Sequence, residues 1–157
     1  MRTISSHTLI LVLLLAIGSK VRAQNVSFEN LKDLQDSENR IVMVFIQTKW
    51  CRYCNGMKHS LFKNPSVLEL LKKKFYLVIL DGEENETIKF AGRDFRYKPT
   101  GRNTGVHELA IELGTVNDQV SYPAICFLNS RNEIVYQHSS YLEPPALVKL
   151  LKTISNY

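Results

Sequence analysis

The sequence has few of the features that point to a membrane-spanning protein or a repeat protein. It contains no internal repeat and no low-complexity segment, and the apolar stretch near its start, residues 9–17, is too short to cross a bilayer as a stable helix. Cysteine is scarce, with three residues among 157. The hydrophobic fraction of 45% suits one globular domain rather than two.

The first 23 residues have the pattern of a secretory signal peptide. Arg2 provides a positive start, residues 9–17 form the short apolar segment, and residues 21–23 place small side chains where a signal peptidase cleaves. We therefore expect a signal peptide over residues 1–23 and a mature domain over residues 24–157, in a periplasmic or secreted protein.

The charge of the chain gives no reason to expect a nucleic acid or an anionic membrane as a partner. The formal net charge is +5, and removal of residues 1–23 takes away three basic residues and no acidic one, which leaves +2. A charge this small creates no strong field. We expect no nucleic-acid partner and no stable membrane insertion once the signal is cleaved.

Three apolar segments predict buried β-strands, at residues 41–46, 75–80 and 124–128. The first is rich in β-branched side chains, which indicates a strand covered on both faces of a parallel or mixed sheet. Residues 134–136 follow a turn after the third segment and predict its hairpin partner.

Helical spacing of apolar residues predicts five helices around these strands. Asn64-Pro65 should end one helix and open the next, because the residue before a proline resists the helical conformation while proline suits a first turn. The five helices are expected to begin near Ser27, Cys51, Asn64, Val106 and Pro144. Right-handed crossovers would place helices on the sheet faces, which predicts a small α/β fold.

Residues 83–105 form an insert in this order of elements. Residues 87–98 alternate in character around a turn at 91–94 and predict a β-hairpin, and residues 99–105 predict a turn-rich loop. The basic and aromatic side chains of the insert leave two interpretations open. It is either a loop that recognises a partner or flanks the site, or a solvated decoration.

Cys51 and Cys54 are the strongest chemical signal, because two residues separate them where a strand gives way to a helix. Unpaired backbone N–H groups and the positive dipole end at a helix N-terminus favour a thiolate, so Cys51 is the expected nucleophile. Cys54 lies three residues on, on the same helix face, and can resolve a mixed disulfide. A structural disulfide across so short a loop would constrain the unfolded chain only weakly, which favours redox chemistry.

The motif Trp50-Cys51-Arg52-Tyr53-Cys54 behind a buried strand, with Tyr122-Pro123 ahead of a later strand, resembles the thioredoxin superfamily. It is similar in particular to exported bacterial thioredoxin-like oxidoreductases with an insert before the third helix. The resemblance covers roughly residues 28–154 apart from the insert. It implies a central mixed β-sheet flanked by helices and a thiol–disulfide oxidoreductase that acts on protein disulfides. A reductase is the expected direction, and the sequence alone does not separate it from an oxidase or an isomerase. The resemblance also implies a redox donor or acceptor protein and no cofactor.

The resemblance further implies roles for three residues around the pair. Pro123 should be a cis-proline that faces the two cysteines, and its missing N–H leaves that edge free. The backbone at Tyr122 can pair with an extended substrate segment, and Trp50 would shield one side of the thiols. These three residues are therefore the expected substrate-binding residues.

One position departs from the thioredoxin pattern. Thioredoxins that act as general reductants carry a buried acid six residues ahead of the first cysteine, and Phe45 stands there in this chain. Water or another group would have to accept the proton of Cys54. Arg52, between the cysteines, is expected to stabilise a thiolate and to make the pair more oxidising.

Two other functions remain open on the sequence alone. One is a thioredoxin-fold binding module whose cysteine pair merely stays oxidised, and the other is a zinc-binding domain. Structural zinc needs four ligands, and the other candidates after residue 23 have no paired spacing: Cys126, His59, His107 and His138. Cys126 lies within an apolar strand and is expected to be a buried small hydrophobe, while His59 is expected at the surface. No metal ligand is predicted.

Overall fold

The computed structural model describes residues 25–157, so the predicted signal peptide lies outside the described residues. In chain order the helices are α1 Leu31–Ser37, α2 Arg52–Lys63, α3 Pro65–Lys74, α4 Glu108–Gly114 and α5 Pro144–Ile154. The strands are β1 Ile41–Gln47, β2 Phe75–Asp81, β3 Ile88–Phe90, β4 Arg93–Phe95, β5 Tyr97–Pro99, β6 Gly105–His107, β7 Thr115–Val116, β8 Gln119–Val120, β9 Ala124–Leu128 and β10 Ile134–His138. None of the described helices combines the length and hydropathy that crossing a bilayer requires.

Four strands form a mixed sheet in the order β10-β9-β1-β2. β1 and β2 run parallel, which the two intervening helices make possible, and β9 and β10 run antiparallel to their neighbours. Each of the four strands corresponds to a segment that the sequence predicts as a strand, and the predicted α/β fold with a central mixed sheet is confirmed.

The central strand β1 is buried on both faces, as its apolar run predicts. Val42, Val44 and Ile46 pack into one cluster with residues of α1, α4 and the insert. Met43 and Phe45 point into the other cluster, which contains residues of α2, α3 and α5. Both cysteines of the pair belong to this second cluster, so the redox pair is built into the core of the domain.

The junction between α2 and α3 follows the predicted helix signals. Asn64 ends α2 and caps α3, since its Oδ1 accepts a hydrogen bond from the Val67 N–H at 3.1 Å, and Pro65 occupies the first turn. The predicted cap at Ser27 is wrong. Its Oγ accepts from the Asn30 N–H at 3.4 Å within a preceding turn, and α1 begins only at Leu31.

The predicted start of α4 at Val106 is also wrong, because Val106 pairs with Lys98 in the β5–β6 hairpin. The helix begins at Glu108, after a fully buried His107. His107 Nδ1 accepts from the Leu109 N–H at 3.2 Å, so Nε2 carries the proton and donates to the Glu86 carbonyl oxygen at 3.2 Å. No partner for this histidine is evident in the sequence, and the structure shows that it is a structural cap.

The insert is part of the core and not merely a solvated decoration. It forms two hairpins, β3–β4 and β5–β6, where the sequence predicts one hairpin over residues 87–98. Phe90 and Phe95 end adjacent strands with their side chains buried, and Phe90 packs edge-on against Phe28 with ring centroids 5.0 Å apart. Both rings are buried on the α1 side of the sheet, where the first hairpin ends at Phe95 and the second begins at Tyr97.

Candidate active site

The loop after β1 places Cys51 at the N-terminus of α2. The Cys51 N–H donates to the Thr48 carbonyl oxygen at 3.2 Å, and the Asn55 N–H donates to the Cys51 carbonyl oxygen at 3.2 Å. Cys51 itself has extended backbone angles (φ −73°, ψ 104°) and is the N-cap residue. A sulfur at this position lies among the unpaired N–H groups of the first helical turn.

Cys51 and Cys54 form a disulfide, with their sulfur atoms 2.02 Å apart. The Cys54 N–H donates to Cys51 Sγ at 3.1 Å. Cys51 is 4% exposed and Cys54 is 0% exposed, so Cys51 is the only cysteine of the pair with any solvent exposure. A backbone donor aimed at this sulfur would stabilise its thiolate once the disulfide is reduced.

Position 45, where the thioredoxin pattern has a buried acid, is occupied by a phenylalanine. Phe45 is fully buried in the same apolar cluster as the two cysteines. Two buried polar atoms at the end of β1, Gln47 Oε1 and Thr48 Oγ1, have no hydrogen-bond partner among residues 25–157. The junction next to Cys51 therefore holds polar groups with unused hydrogen-bonding capacity.

Trp50 lies beside the disulfide and is 66% exposed. Its indole Nε1–H donates to Glu83 Oε1 at 3.0 Å, and its ring meets Tyr122 edge-on with centroids 6.2 Å apart. Glu83 is the first residue of the insert, and no sequence signal links it to Trp50. The structure thus adds Glu83 as the residue that orients the exposed indole.

The Tyr122–Pro123 bond is cis, as the resemblance implies, and the Tyr122 ring lies beside Trp50 of the active-site loop. Tyr122 packs against both apolar clusters, including the one that contains the cysteines. Its ring approaches the backbone of Gly82, whose N–H donates to the Gln47 carbonyl oxygen at 2.6 Å and whose carbonyl oxygen accepts from the His107 N–H at 2.8 Å. Gly82 therefore joins β1, β6 and Tyr122.

Gly82→Ala is expected to lower the free energy of unfolding by about 1–3 kcal/mol, as overpacking does. A Cβ on Gly82 would lie 2.5 Å from Tyr122 Cζ and would also overlap the Tyr122 hydroxyl, so the ring must move away from its place against Trp50. Urea unfolding of the oxidised protein measures the loss. Near-ultraviolet circular dichroism follows the displaced rings.

Gly56→Ala is the matched control for this substitution. Gly56 lies within α2, and a Cβ there would be 3.5 Å from the nearest atom, Tyr141 Cε2, which is an ordinary contact. Alanine suits a helix interior better than glycine, so this variant should gain about 0.5–1 kcal/mol. Equal effects of the two substitutions would contradict the close approach of Tyr122 to Gly82.

Burial raises the pKa of Tyr122 to about 12, and the negative charges of Glu83 and Asp81 add to the shift. Below pH 10 the hydroxyl is neutral in native and unfolded chains alike. Between pH 10 and about 12 the unfolded chain loses this proton while the native protein keeps it, so the free energy of unfolding falls as pH rises through this window. Tyr122→Phe should show a shallower fall in urea unfolding over that range. Identical slopes would contradict the burial of the hydroxyl.

The other candidate residues are spread over the fold. His59 is exposed, as predicted, and Cys126 is a fully buried free cysteine in β9, where burial raises its pKa to about 12. His138 hydrogen-bonds Ser140 at 2.8 Å, and burial lowers its pKa. Within residues 25–157, no three His, Cys, Asp or Glu side chains are grouped closely enough to hold a metal ion.

The fold and the site together define a class of protein. A mixed sheet with β1 and β2 parallel leads into a helix capped by one cysteine of a disulfide, and a cis-proline bond precedes β9. A CxxC pair in this setting is the site of a thioredoxin-fold thiol–disulfide oxidoreductase.

Sequence comparison places the chain in a family. A family model described as Thioredoxin-like matches residues 23–130, which is more than half of the chain, and the chain belongs to this family. The resemblance seen in the sequence is thereby confirmed. No curated protein matches the sequence.

Solved structures similar to this chain show the same fold. A thioredoxin-fold protein from Helicobacter pylori is 15% identical, and the match covers 87% of this chain and 77% of that one with a TM-score of 0.59. A disulphide isomerase from Xylella fastidiosa Temecula1 is 17% identical over 81% of this chain and 87% of that one, with a TM-score of 0.55. A thioredoxin from Thermus thermophilus is 19% identical over 83% and 85%, with a TM-score of 0.57.

Proposed function

We propose that this protein reduces disulfides of other proteins in an exported compartment, with Cys51 as the nucleophile and Cys54 as the resolving cysteine. The observation that carries the proposal is the difference between the two sulfurs. Cys51 caps α2, receives the Cys54 N–H and holds the small exposure of the pair, whereas Cys54 is fully buried. A substrate disulfide therefore meets Cys51 first.

The reaction transfers two electrons from the reduced pair to the substrate. The Cys51 thiolate attacks one sulfur of the substrate disulfide, so a Cys51–substrate bond forms, the substrate S–S bond breaks, and the leaving thiolate takes a proton from water. Cys54 then gives its proton to water and attacks Cys51 Sγ. This step forms the observed Cys51–Cys54 disulfide and releases the second substrate thiolate. A dithiol donor must reduce the pair again by the same exchange in reverse.

Trp50, Tyr122 and Pro123 are the proposed substrate-binding residues. Trp50 offers an exposed ring beside the pair, and Glu83 and Tyr122 hold that ring in place. Pro123 has no backbone N–H, so it leaves no unpaired hydrogen-bond donor at this edge of the site. The Tyr122 backbone is the proposed partner for an extended substrate segment, as the resemblance implies.

The exported location rests on residues 1–23, whose pattern predicts a cleavable signal peptide. A periplasmic or secreted location is testable by following the processing of the full chain: the mature protein should begin near Gln24 and should be recovered outside the cytoplasm.

The direction of the reaction is tested by the reduction potential of the Cys51–Cys54 pair. The protein is equilibrated in dithiol–disulfide buffers, its thiols are alkylated, and the oxidised fraction is read by mass. A reductase should have a potential near the thioredoxin value of about −270 mV and should reduce insulin disulfides in the presence of a dithiol donor. A potential near about −120 mV would identify an oxidant and would contradict the reductase assignment. Arg52 is exposed and is expected to raise the reduction potential of the Cys51–Cys54 pair, which makes the pair more oxidising.

A further inference from the structure

A second aromatic pair, Tyr53 and Tyr141, lies next to the redox pair. Tyr53 stands between the two cysteines in the chain and is 71% exposed. Its ring centroid is 6.3 Å from that of Tyr141, with an angle of 54° between the ring planes. This separation lies within the range at which aromatic rings attract each other. The two rings therefore form one aromatic surface beside Cys51 and Cys54.

Tyr141 is the anchored member of this pair. It lies between β10 and α5 and packs, partly buried, against the apolar cluster that contains both cysteines. Gly56 is three residues after Tyr53, on the same face of α2, and the Tyr141 ring lies next to it, since a Cβ on Gly56 would be 3.5 Å from Cε2, an ordinary contact. Tyr141 therefore lies against the surface of α2 at a position that carries no side chain.

Exposed aromatic rings are concentrated around the disulfide. Among residues 25–157 five large hydrophobic side chains are exposed, and two of them, Trp50 and Tyr53, lie on either side of Cys51 in the chain. Trp50 pairs with Tyr122 just as Tyr53 pairs with Tyr141. Exposed aromatic clusters mark surfaces that bind a partner, because their burial stabilises a complex without removing a charge from water.

We propose that Tyr53 and Tyr141 form a specificity site that binds an aromatic or large aliphatic side chain next to the substrate cysteine. The inference rests on the proposed function, since a substrate disulfide must reach Cys51. An extended chain advances at most about 3.6 Å per residue, so the residue beside the attacked cysteine lies within reach of Tyr53. The occupant is an extended segment of a disulfide-bonded protein.

The chemistry of the surface selects against polar neighbours of the substrate cysteine. The two rings lie 6.3 Å apart at an angle of 54°, and Gly56 next to Tyr141 adds no polar side chain. An aromatic side chain gains ring contacts there, whereas an amide or a carboxylate would lose hydration without a matching partner. The preference for an aromatic residue next to the substrate cysteine should therefore appear both in the rate at which Cys51 attacks the substrate disulfide and in the affinity for the peptide.

The test compares two disulfide-linked peptides that differ only in the residue next to cysteine, Phe in one and Asn in the other. Reduced wild-type protein should be oxidised by the Phe peptide about five- to tenfold faster, the size of one aromatic contact. Tyr53→Ala and Tyr141→Ala should each lower this ratio below about twofold. Tyr53→Phe and Tyr141→Phe should keep it, because the rings and not the hydroxyls make the contact. Tyr157→Ala, an 87% exposed tyrosine outside both pairs, should leave both rates unchanged.

A second measurement separates this inference from the proposed function. Oxidised protein is titrated with the same peptides carrying Ser in place of Cys, and peptide binding is followed by the NMR signals of the tyrosine rings. Tighter binding of the Phe peptide supports the aromatic site even if no peptide disulfide is reduced, an outcome that would reject only the reductase function. Equal binding of the two peptides, or a preference that survives both alanine substitutions, overturns the site.

Discussion

Cys54→Ala is expected to trap a mixed disulfide between Cys51 and its substrate, and Cys51→Ala is expected to abolish reduction. The resolving step needs a second thiol that can reach Cys51 Sγ, and Cys54 is already bonded to it in the described chain. Loss of the nucleophile should lower the rate of disulfide reduction by at least about 10³-fold, as loss of other enzymatic nucleophiles does. Non-reducing electrophoresis and mass spectrometry of the trapped species measure the first effect, and a turbidity assay on insulin measures the second.

Cys126→Ala is the control for both variants. Cys126 is fully buried in β9, and burial raises its pKa to about 12, so it offers almost no thiolate near neutral pH. Its replacement should leave the reduction rate and the trapping unchanged. Mixed disulfides that form on Cys126, or that accumulate equally in Cys51→Ala, would contradict the assigned order of attack.

Phe95→Ala is expected to destabilise the protein by about 3–5 kcal/mol, although the residue lies in an insert. Its side chain is 3% exposed and packs into the cluster on the α1 and α4 side of the sheet. Truncation removes a whole ring from this cluster and leaves a cavity that a paired strand cannot easily close. Urea unfolding of the oxidised protein measures the loss.

Arg93→Ala is the neighbouring control for Phe95→Ala. Arg93 is exposed, forms a 3.1 Å ion pair with Glu112 and lies over the Phe95 ring at 4.7 Å. Exposed ion pairs of this kind contribute about 0–1 kcal/mol, so the control should cost far less than the truncation of the ring. A loss below about 1 kcal/mol for Phe95→Ala would show that the insert is a separable decoration after all.

The local patterns of the sequence are sufficient to predict most of the central strands and the helices. The apolar run of β1, the Asn64-Pro65 junction and the Pro144 helix start are each encoded by adjacent residues, and the structure contains all three. The errors at Ser27 and Val106 both concern helix boundaries. A turn at Ser27 and the pairing of Val106 with Lys98 in the β5–β6 hairpin take up residues that helical spacing alone would place at the start of a helix.

The insert shows why local pattern has a limit. Alternating residues correctly predict strands within residues 87–98, but which strand pairs with which depends on where Phe90 and Phe95 are buried. That burial requires the surface formed by Phe28, β1 and β2, which is distant in sequence. A periodic apolar pattern predicts that a side chain is buried, but it does not identify the residues against which that side chain packs.

The sequence by itself determined the chemistry of this protein. Cys51 and Cys54 owe their pairing and their place at the N-terminus of α2 to residues a few positions apart, so the motif is evident from local sequence alone. Only the tertiary structure decided what surrounds them. Glu83 reaches Trp50 across 33 residues, and Tyr141 lies over α2 from the far end of the chain. Such contacts follow from the packing of the sheet and its helices, which no short stretch of sequence specifies.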